Sequence, residues 1–515
     1  MTNFPWLTVM GVLPLLGAVV IFAMPNSLAG RARHVALGFS LATLVVTVAG
    51  ALQYDTGSKN QFQLVEQHEW IPQFGVSYAL GVDGIALVLI LLAAILTPVC
   101  LLAAWHDVSE GGARERNYFA LMLVLETFMI GVFTATDVFL FYVFFEAMLI
   151  PVYFLIGSYG GPRRQYASVK FLLFSLAGGL IMLVAVIALY QYGPGGADGF
   201  LVSKLTGLKL GSTPERLMFL GFFIAFAVKA PMWPVHTWLP DAATEARPAT
   251  AVLLVGVLDK VGTYGMIRFC LQLFPEASKW ATPVVITLAV ISVLYGALLA
   301  IGQTDIMRLI AYTSVSHFGF IVLGIFALTT VGGAGSALYM VNHGFSTAAL
   351  FLVAAMLISR RGSKRIPDFG GWQRVTPVLA GVFLFSGLSG LALPGLSSFI
   401  SEFLVLVGTF QRYRVAAVIA TVGIILAALY ILLMYKRMMT GPKPDFGESE
   451  ESGTSVADLG LREKWVVAPL VAAILVLGFY PKLALDFINP AVHQTLTFVG
   501  VTDPAPTNAA EGSAK

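Results

Sequence analysis

Residues 226–248 read FAVKAPMWPVHTWLPDAATEARP, and the first three of them close the apolar run LMFLGFFIAFAV (217–228). Lys229 therefore stands where the chain is ready to cross a membrane. Pro231 and Pro234 follow at once, and proline removes a backbone donor and clashes with the preceding turn, so the helix breaks here. Broken backbone at membrane depth is tolerated only inside a protein or beside a watery cavity, because lipid cannot satisfy the freed groups. The stretch predicts a broken membrane helix with a charge beside the break. A second break is written into GLALPGLSS, around Pro394 and Gly395, with Glu402 just beyond it.

The composition fits many such helices. Of 515 residues, 57% are hydrophobic and 11% charged, with a mean hydropathy of +0.83. Soluble domains carry about 25% charged residues. The net charge of +3 gives no support to a nucleic-acid role. Cys100 and Cys270 lie alone in apolar runs, which excludes zinc-finger and iron–sulfur spacing. A span needs about 20 apolar residues. Fourteen segments qualify, at about 5–23, 34–53, 84–105, 118–134, 136–157, 166–190, 215–238 (broken), 249–272, 280–301, 304–329, 335–358, 373–410 (broken), 415–439 and 464–483. The basic clusters GRAR, GARER, GPRRQ, SRRGSKR and YKR all fall in loops of one face, which marks that face as cytoplasmic and leaves both termini outside. The acidic stretch 441–463 reads as a flexible cytoplasmic loop and the tail 502–515 as disordered.

Charges inside spans cost about 2.5–3.5 kcal/mol each on insertion scales. This chain has Glu146 in the fifth span, Lys229 in the seventh, Lys260 in the eighth, His317 in the tenth, His343 in the eleventh and Glu402 in the twelfth. Each alone could be a buried pair or a snorkelling side chain. Six at similar depth suit a polar row, and Glu, Lys and His are the types whose proton affinity burial and neighbours can move. That is what a membrane proton relay needs. Breaks at matching places in two halves predict inverted repeats with the site at their interface. The fold expected is an all-α polytopic membrane protein of about fourteen helices, with five-helix repeats over spans 4–8 and 9–13. Its parts are residues 1–117 (the first three helices), 118–272 and 273–440 (the repeats), and 441–515 (loop, last helix and tail). His236 and Asp241 are expected near the surface at the cytoplasmic end of the broken helix, with a structural or a proton-uptake role.

Several motifs resemble one family. They are LFYVFFEAMLIPVYFLIGSYGG, FAVKAPMWPVHTWLPDAATEA, DKVGTYGMIRF, LIAYTSVSHFGF, NHGFSTAALFLVAAML and LALPGLSSFISEF, spread over about residues 118–440. Together they resemble the antiporter-like subunits of respiratory complex I, the NADH:quinone oxidoreductase, and most closely the M-type. The L-type is similar but usually has lysine at the place of Glu402 and a long lateral helix after its core.

The resemblance implies proton translocation in a membrane arm, coupled to quinone reduction elsewhere, in the inner (cell) membrane of a bacterium. It implies Glu146 paired with Lys229, Lys260 as the central relay with His317 and His343 beside it, and Glu402 as the terminal exchange residue. It implies neighbouring antiporter-like complex I subunits and lipid as partners, with no nucleic acid. NADH, flavin, iron–sulfur clusters and quinone would sit in other subunits, and no cofactor or metal is expected in this chain, which also lacks GxGxxG, P-loop and HExxH patterns. Three departures stand out: Ala243 where the family usually has histidine, Met307 where it often has lysine, and Asp259 before the relay lysine where it usually has an apolar residue. Asp259 is expected either to ease the charge on Lys260 or to bind an adjacent subunit. Two other readings stay open. One is the D-type subunit of a multi-subunit sodium/proton antiporter, which shares nearly all the motifs. The other is a passive scaffold.

Overall fold

A computed structural model of the protein describes residues 4–108, 112–444 and 456–505. The middle of the acidic stretch (445–455) and the end of the tail (506–515), expected flexible and disordered, lie outside the described residues. The chain is mostly helical. It begins with α1 (Trp6–Ala23) and α2 (Ala32–Ala51), then makes a β-hairpin from β1 (Gln63–Ile71) and β2 (Val76–Val82). α3 (Gly84–Ala103), α4 (Gly112–Thr134), α5 (Val138–Ala147), α6 (Leu149–Tyr159) and α7 (Arg164–Tyr192) follow. A short α8 (Val202–Leu205) leads to α9 (Ser212–Lys229), and α10 (Trp238–Glu245) lies beyond the first break. α11 (Pro248–Leu253) and α12 (Lys260–Gly265) belong to one span, joined by a π-helical turn at Leu254–Leu258. The second half has α13 (Pro275–Ile301), α14 (Ile306–Phe326), α15 (Thr330–Arg361), α16 (Pro377–Gly390), α17 (Ser397–Arg412), α18 (Arg414–Met439), α19 (Leu461–Phe479) and α20 (Lys482–Val499).

Among the described residues, eleven helices are long and apolar enough to cross a membrane, or twelve if α19 and α20, bent by 67°, form one span. The two spans expected to be broken are broken. α9 stops at Lys229, and the chain stays irregular until Trp238. Between α16 and α17, Gly395 takes φ 92°, a left-handed conformation that glycine adopts without a Cβ penalty. Carboxylates start several helices. Asp83 accepts from Ala86 N at 2.8 Å, Asp137 from Leu140 N at 2.9 Å, and Asp305 from Met307 N at 2.9 Å, each satisfying a donor that the first turn leaves free.

Two elements went unread in the sequence. The hairpin pairs Gln63 with Val82 and Ile71 with Val76, in a segment expected to be loop. Its first strand is polar and largely exposed, so no clean alternation marks it, while β2 is buried against the bundle. α20 carries Lys482, Asp486 and His493 and lacks the unbroken apolar run of a span.

Burial sorts the helices into core and rim. The span Pro248–Leu271 is wholly buried and α14 is 94% buried, whereas α1 and α18 are only 33% buried and α2 28%. The rim helices turn Val45, Leu173, Val184 and Ile425 outward, the surface that lipid or a neighbouring membrane chain covers. The core helices α12, α14 and α15 carry Lys260, His317 and His343.

Candidate functional site

The site starts at Lys260, a fully buried residue just after a π-helical turn. A π turn widens the helix and releases a carbonyl from the regular ladder. The Lys260 ammonium uses it, donating to Val255 O at 2.5 Å. Its Nζ also shares a hydrogen bond of 2.7 Å with His343 Nδ1 and lies 5.0 Å from the centre of the Phe318 ring. The His343 and His317 rings are 5.1 Å apart, centre to centre. His317 Nε2 lies 3.3 Å from the Tyr430 hydroxyl. The Tyr339 ring is 5.9 Å from His317, and its hydroxyl donates to Glu402 Oε2 at 3.2 Å. Lys260, His343, His317 and Glu402 thus form one buried file, completed by Tyr339 and Tyr430.

Neither tyrosine was singled out in the sequence. Tyr339 had a signal, since it precedes His343 by one helical turn on α15 and so shares its face. Tyr430 had none, because a tyrosine in the apolar run of α18 reads as packing.

The other expected pair is close but not hydrogen-bonded. Glu146 and Lys229 lie close enough to feel each other's charge, yet Glu146 Oε1 and Lys229 Nζ have no hydrogen-bond partner. Lys229 Nζ instead lies 4.9 Å from the Phe145 ring centre and 5.6 Å from that of Phe171. Glu146 points at Gly179, where any Cβ would collide with its Oε1. The ionisable groups thus fall into two clusters, and Asp259 lies between them. Its carboxylate is fully buried, has no hydrogen-bond partner and is within electrostatic reach of both Lys229 and Lys260. Full burial inside this chain rules out the expectation that Asp259 binds an adjacent subunit.

The break itself is well supported. It frees the Val228 carbonyl, which accepts from Trp238 Nε1 at 2.9 Å, while Trp233 N donates to Ser292 Oγ at 2.8 Å. His236 and Asp241, expected near the surface, are both buried and stand outside the file. His236 packs against Tyr295, with ring centres 5.2 Å apart. Asp241 is ion-paired with Lys170 at 2.7 Å and with Arg308 at 2.6 Å. Burial alone would raise its carboxyl, but these two cations outweigh that and hold it below the usual range. The reason is tertiary: α10 folds back onto α7 and α14, so the end of a broken helix becomes an internal clasp.

One charge in an apolar run was overlooked. Glu126, in LMLVLETFMI on α4, is fully buried, and neither carboxylate oxygen has a partner. The signal was the one that marked Glu146. Among the described residues, no group of three or more His, Cys, Asp or Glu is placed to hold a metal ion.

A multi-pass bundle with paired helix breaks and a buried file of titratable side chains between them defines the class of antiporter-like membrane proteins. Residues 135–427 match the family described as NADH:quinone oxidoreductase/Mrp antiporter, transmembrane. The NADH-quinone oxidoreductase subunit M of Mycobacterium tuberculosis is 51% identical over 98% of this chain and 97% of its own length. A chain of respiratory complex I from Thermus thermophilus superposes with a TM-score of 0.86 at 29% identity, covering 96% of this chain and all of that one. A chain of the Mrp complex from Dietzia sp. shares the fold, with a TM-score of 0.84 at 24% identity over 97% and 99% of the two chains. The chain belongs to the NADH:quinone oxidoreductase/Mrp antiporter family of membrane proteins.

Proposed function

We propose that the chain is a proton-translocating membrane-arm subunit of an NADH:quinone oxidoreductase. The observation that carries this reading is the buried file Lys260–His343–His317–Tyr339–Glu402, whose members are linked by hydrogen bonds or ring contacts. In this mechanism Lys260, as ammonium, gives a proton to His343 and becomes an amine. His343 passes it to His317 and returns to neutral. From there it reaches Glu402 beside the second break, with Tyr339 holding the carboxylate that receives it. Charge at Glu146 and Asp259 sets how readily Lys229 and Lys260 hold theirs. Glu402 then releases the proton outward and the Lys260 amine takes another from the inner side, so each group returns to its starting state, with the redox chemistry of other subunits driving the cycle.

The residue roles rest on this geometry and on the family's pattern. The oxidation of NADH and the reduction of quinone belong to other subunits, with their flavin and iron–sulfur clusters, and this chain holds no redox centre. Its partners are the other complex I subunits, above all neighbouring antiporter-like chains against the apolar rim. The two halves, 118–272 and 273–440, act as inverted repeats, and each broken helix crosses the membrane with its continuation, giving fourteen spans. The basic loops face the cytoplasm and both termini face out. The sodium/proton antiporter reading shares the fold, but its structural relative is more distant in sequence than the subunit M relative. The test is the assembled complex in sealed vesicles. Lys260→Met should abolish proton uptake driven by NADH while the complex still assembles. Pumping at the parental rate would refute the relay, and purification without an NADH-oxidising arm would favour the antiporter.

A further inference from the structure

Glu126 is the buried carboxyl that the mechanism above does not use. It lies on α4, fully buried, with both oxygens unpartnered. An unpaired buried charge is among the costliest features a fold can hold. Glutamine would fill the same space without that cost.

Two contacts fix its depth. Near the inner end of α4, Tyr118 neighbours Thr250 of α11. Near the outer end, the Tyr264 hydroxyl donates to Phe133 O at 3.2 Å. The two helices therefore run parallel and nearly in register. Glu126 is eight residues beyond Tyr118, and Leu258 is eight beyond Thr250, so Glu126 sits at the depth of Asp259 and Lys260.

A route to it begins at the inner face. A cavity of about 500 Å³ is lined there by His106, Asp107, Glu245, Arg247, Met307 and Lys364. Burial pushes the Asp107 carboxyl up, against the opposing pull of Arg247, Arg462 and His106. Asp107 is also within electrostatic reach of Tyr118. The Tyr118 and Thr250 hydroxyls are buried, and neither makes a hydrogen bond of good geometry. Unsatisfied polar atoms thus lie near the cavity, on Tyr118 and Thr250, and again at mid-depth, on Glu126, and Met307, one of the chain's departures from its family, lines the cavity.

We infer that Glu126 is a further proton-carrying residue of the relay, loaded from this inner cavity past Tyr118 and Thr250. Tyr118 and Glu126 are two turns apart, about 12 Å along the helix, so water carries the proton over that distance. The carboxylate takes a proton from hydronium and leaves water. The neutral acid then yields it, again through water, to the amine form of Lys260 and returns to carboxylate.

The inference rests on the relay reading above, and the test separates the two. Assembled complexes in sealed vesicles are compared for protons moved per NADH oxidised, with the parent and Glu402→Gln alongside. Glu126→Gln should lower pumping by about tenfold or more at equal assembly. Glu126→Asp, which keeps the titrating group, should retain a clear part of it. Infrared difference spectra between resting and turning-over complex should contain a carboxylic C=O band that is absent in Glu126→Gln. Parental pumping by Glu126→Gln, or spectra without that band, would overturn the inference while leaving the relay intact. If Glu126→Gln does not assemble, Tyr118→Phe and Thr250→Val carry the test, and parental rates in both would overturn it. A parent complex that moves no protons would overturn the relay and this inference with it.

Discussion

At the scale of single residues, the site is a set of charges held without full compensation. Lys260 is secured by one carbonyl and one imidazole, both buried. His343→Phe keeps a ring of similar size and removes the acceptor, so it should cut pumping by about a hundredfold, the lower end of what a positioned acid–base group contributes. NADH-driven proton uptake by vesicles at equal assembly measures it. Asp241 is the contrasting case, a carboxylate fully answered by Lys170 and Arg308. Asp241→Asn leaves those two cations facing each other and should cost roughly 1–3 kcal/mol, since both retain some access to solvent. The sign of its pH dependence follows from a folded-state value held below the ordinary 3.8. The stabilisation is complete above about pH 4 and is lost only as pH falls through the depressed folded value. Thermal melts of the solubilised complex at neutral pH should show the full difference between parent and variant, and the gap should close only in strong acid.

At the scale of elements, the two breaks depend on how closely their neighbours approach. Gly262 of α12 lies against the end of α9, where an added Cβ would come within 2.5 Å of Phe226 O and 2.6 Å of Ala230 N. An exposed Gly→Ala change inside a helix gains up to about 1 kcal/mol in propensity. Here it must push Lys229 and its break away from the helix that carries Lys260. Overpacking of this kind costs about 1–3 kcal/mol, so Gly262→Ala should lower both the melting temperature and the pumping rate. An unchanged melting temperature would mean that the two backbones can separate freely. The second break has its own clasp, in which Asn342 on α15 donates to Ser397 O at 2.7 Å at the start of α17. The residue that ties down the break is thus the neighbour of His343 in the file.

At the scale of the whole molecule, the basic loops and the inner cavity share one face. Arg360 pairs with Glu463 at 2.7 Å, and Arg462 caps the carbonyls of Leu102 and Ala103, joining the last long span to the third. The proposed orientation makes this the cytoplasmic face. A cysteine introduced at Asp503, beyond α20, should then react with a membrane-impermeant maleimide added to intact cells, whereas one at Lys364 should react only in inside-out vesicles. The reverse pattern would invert the topology.

The sequence by itself determined the class of fold and most of the file. Continuous apolar runs leave a chain no option but spans, the paired Pro231 and Pro234 and the Pro394–Gly395 step mark the two breaks although lone prolines such as Pro14, Pro98 and Pro283 stay inside continuous helices, and a Lys, Glu or His at mid-span is too costly to be incidental. Those are local facts, readable without knowing any neighbour. Glu126 carried the same signal as Glu146, so it too was legible. Only the tertiary structure decided which charges meet. It joined Lys260 to His343, brought Glu146 and Lys229 near each other without a hydrogen bond, buried Asp259 inside the chain, and turned His236 and Asp241 from surface residues into internal ones. It also recruited Tyr339 and Tyr430, whose hydroxyls matter only because helices distant in sequence bring partners to them. Hydrophobicity acts on each segment alone, whereas a hydrogen bond or an ion pair exists only once two segments have been packed to within about 3 Å of each other.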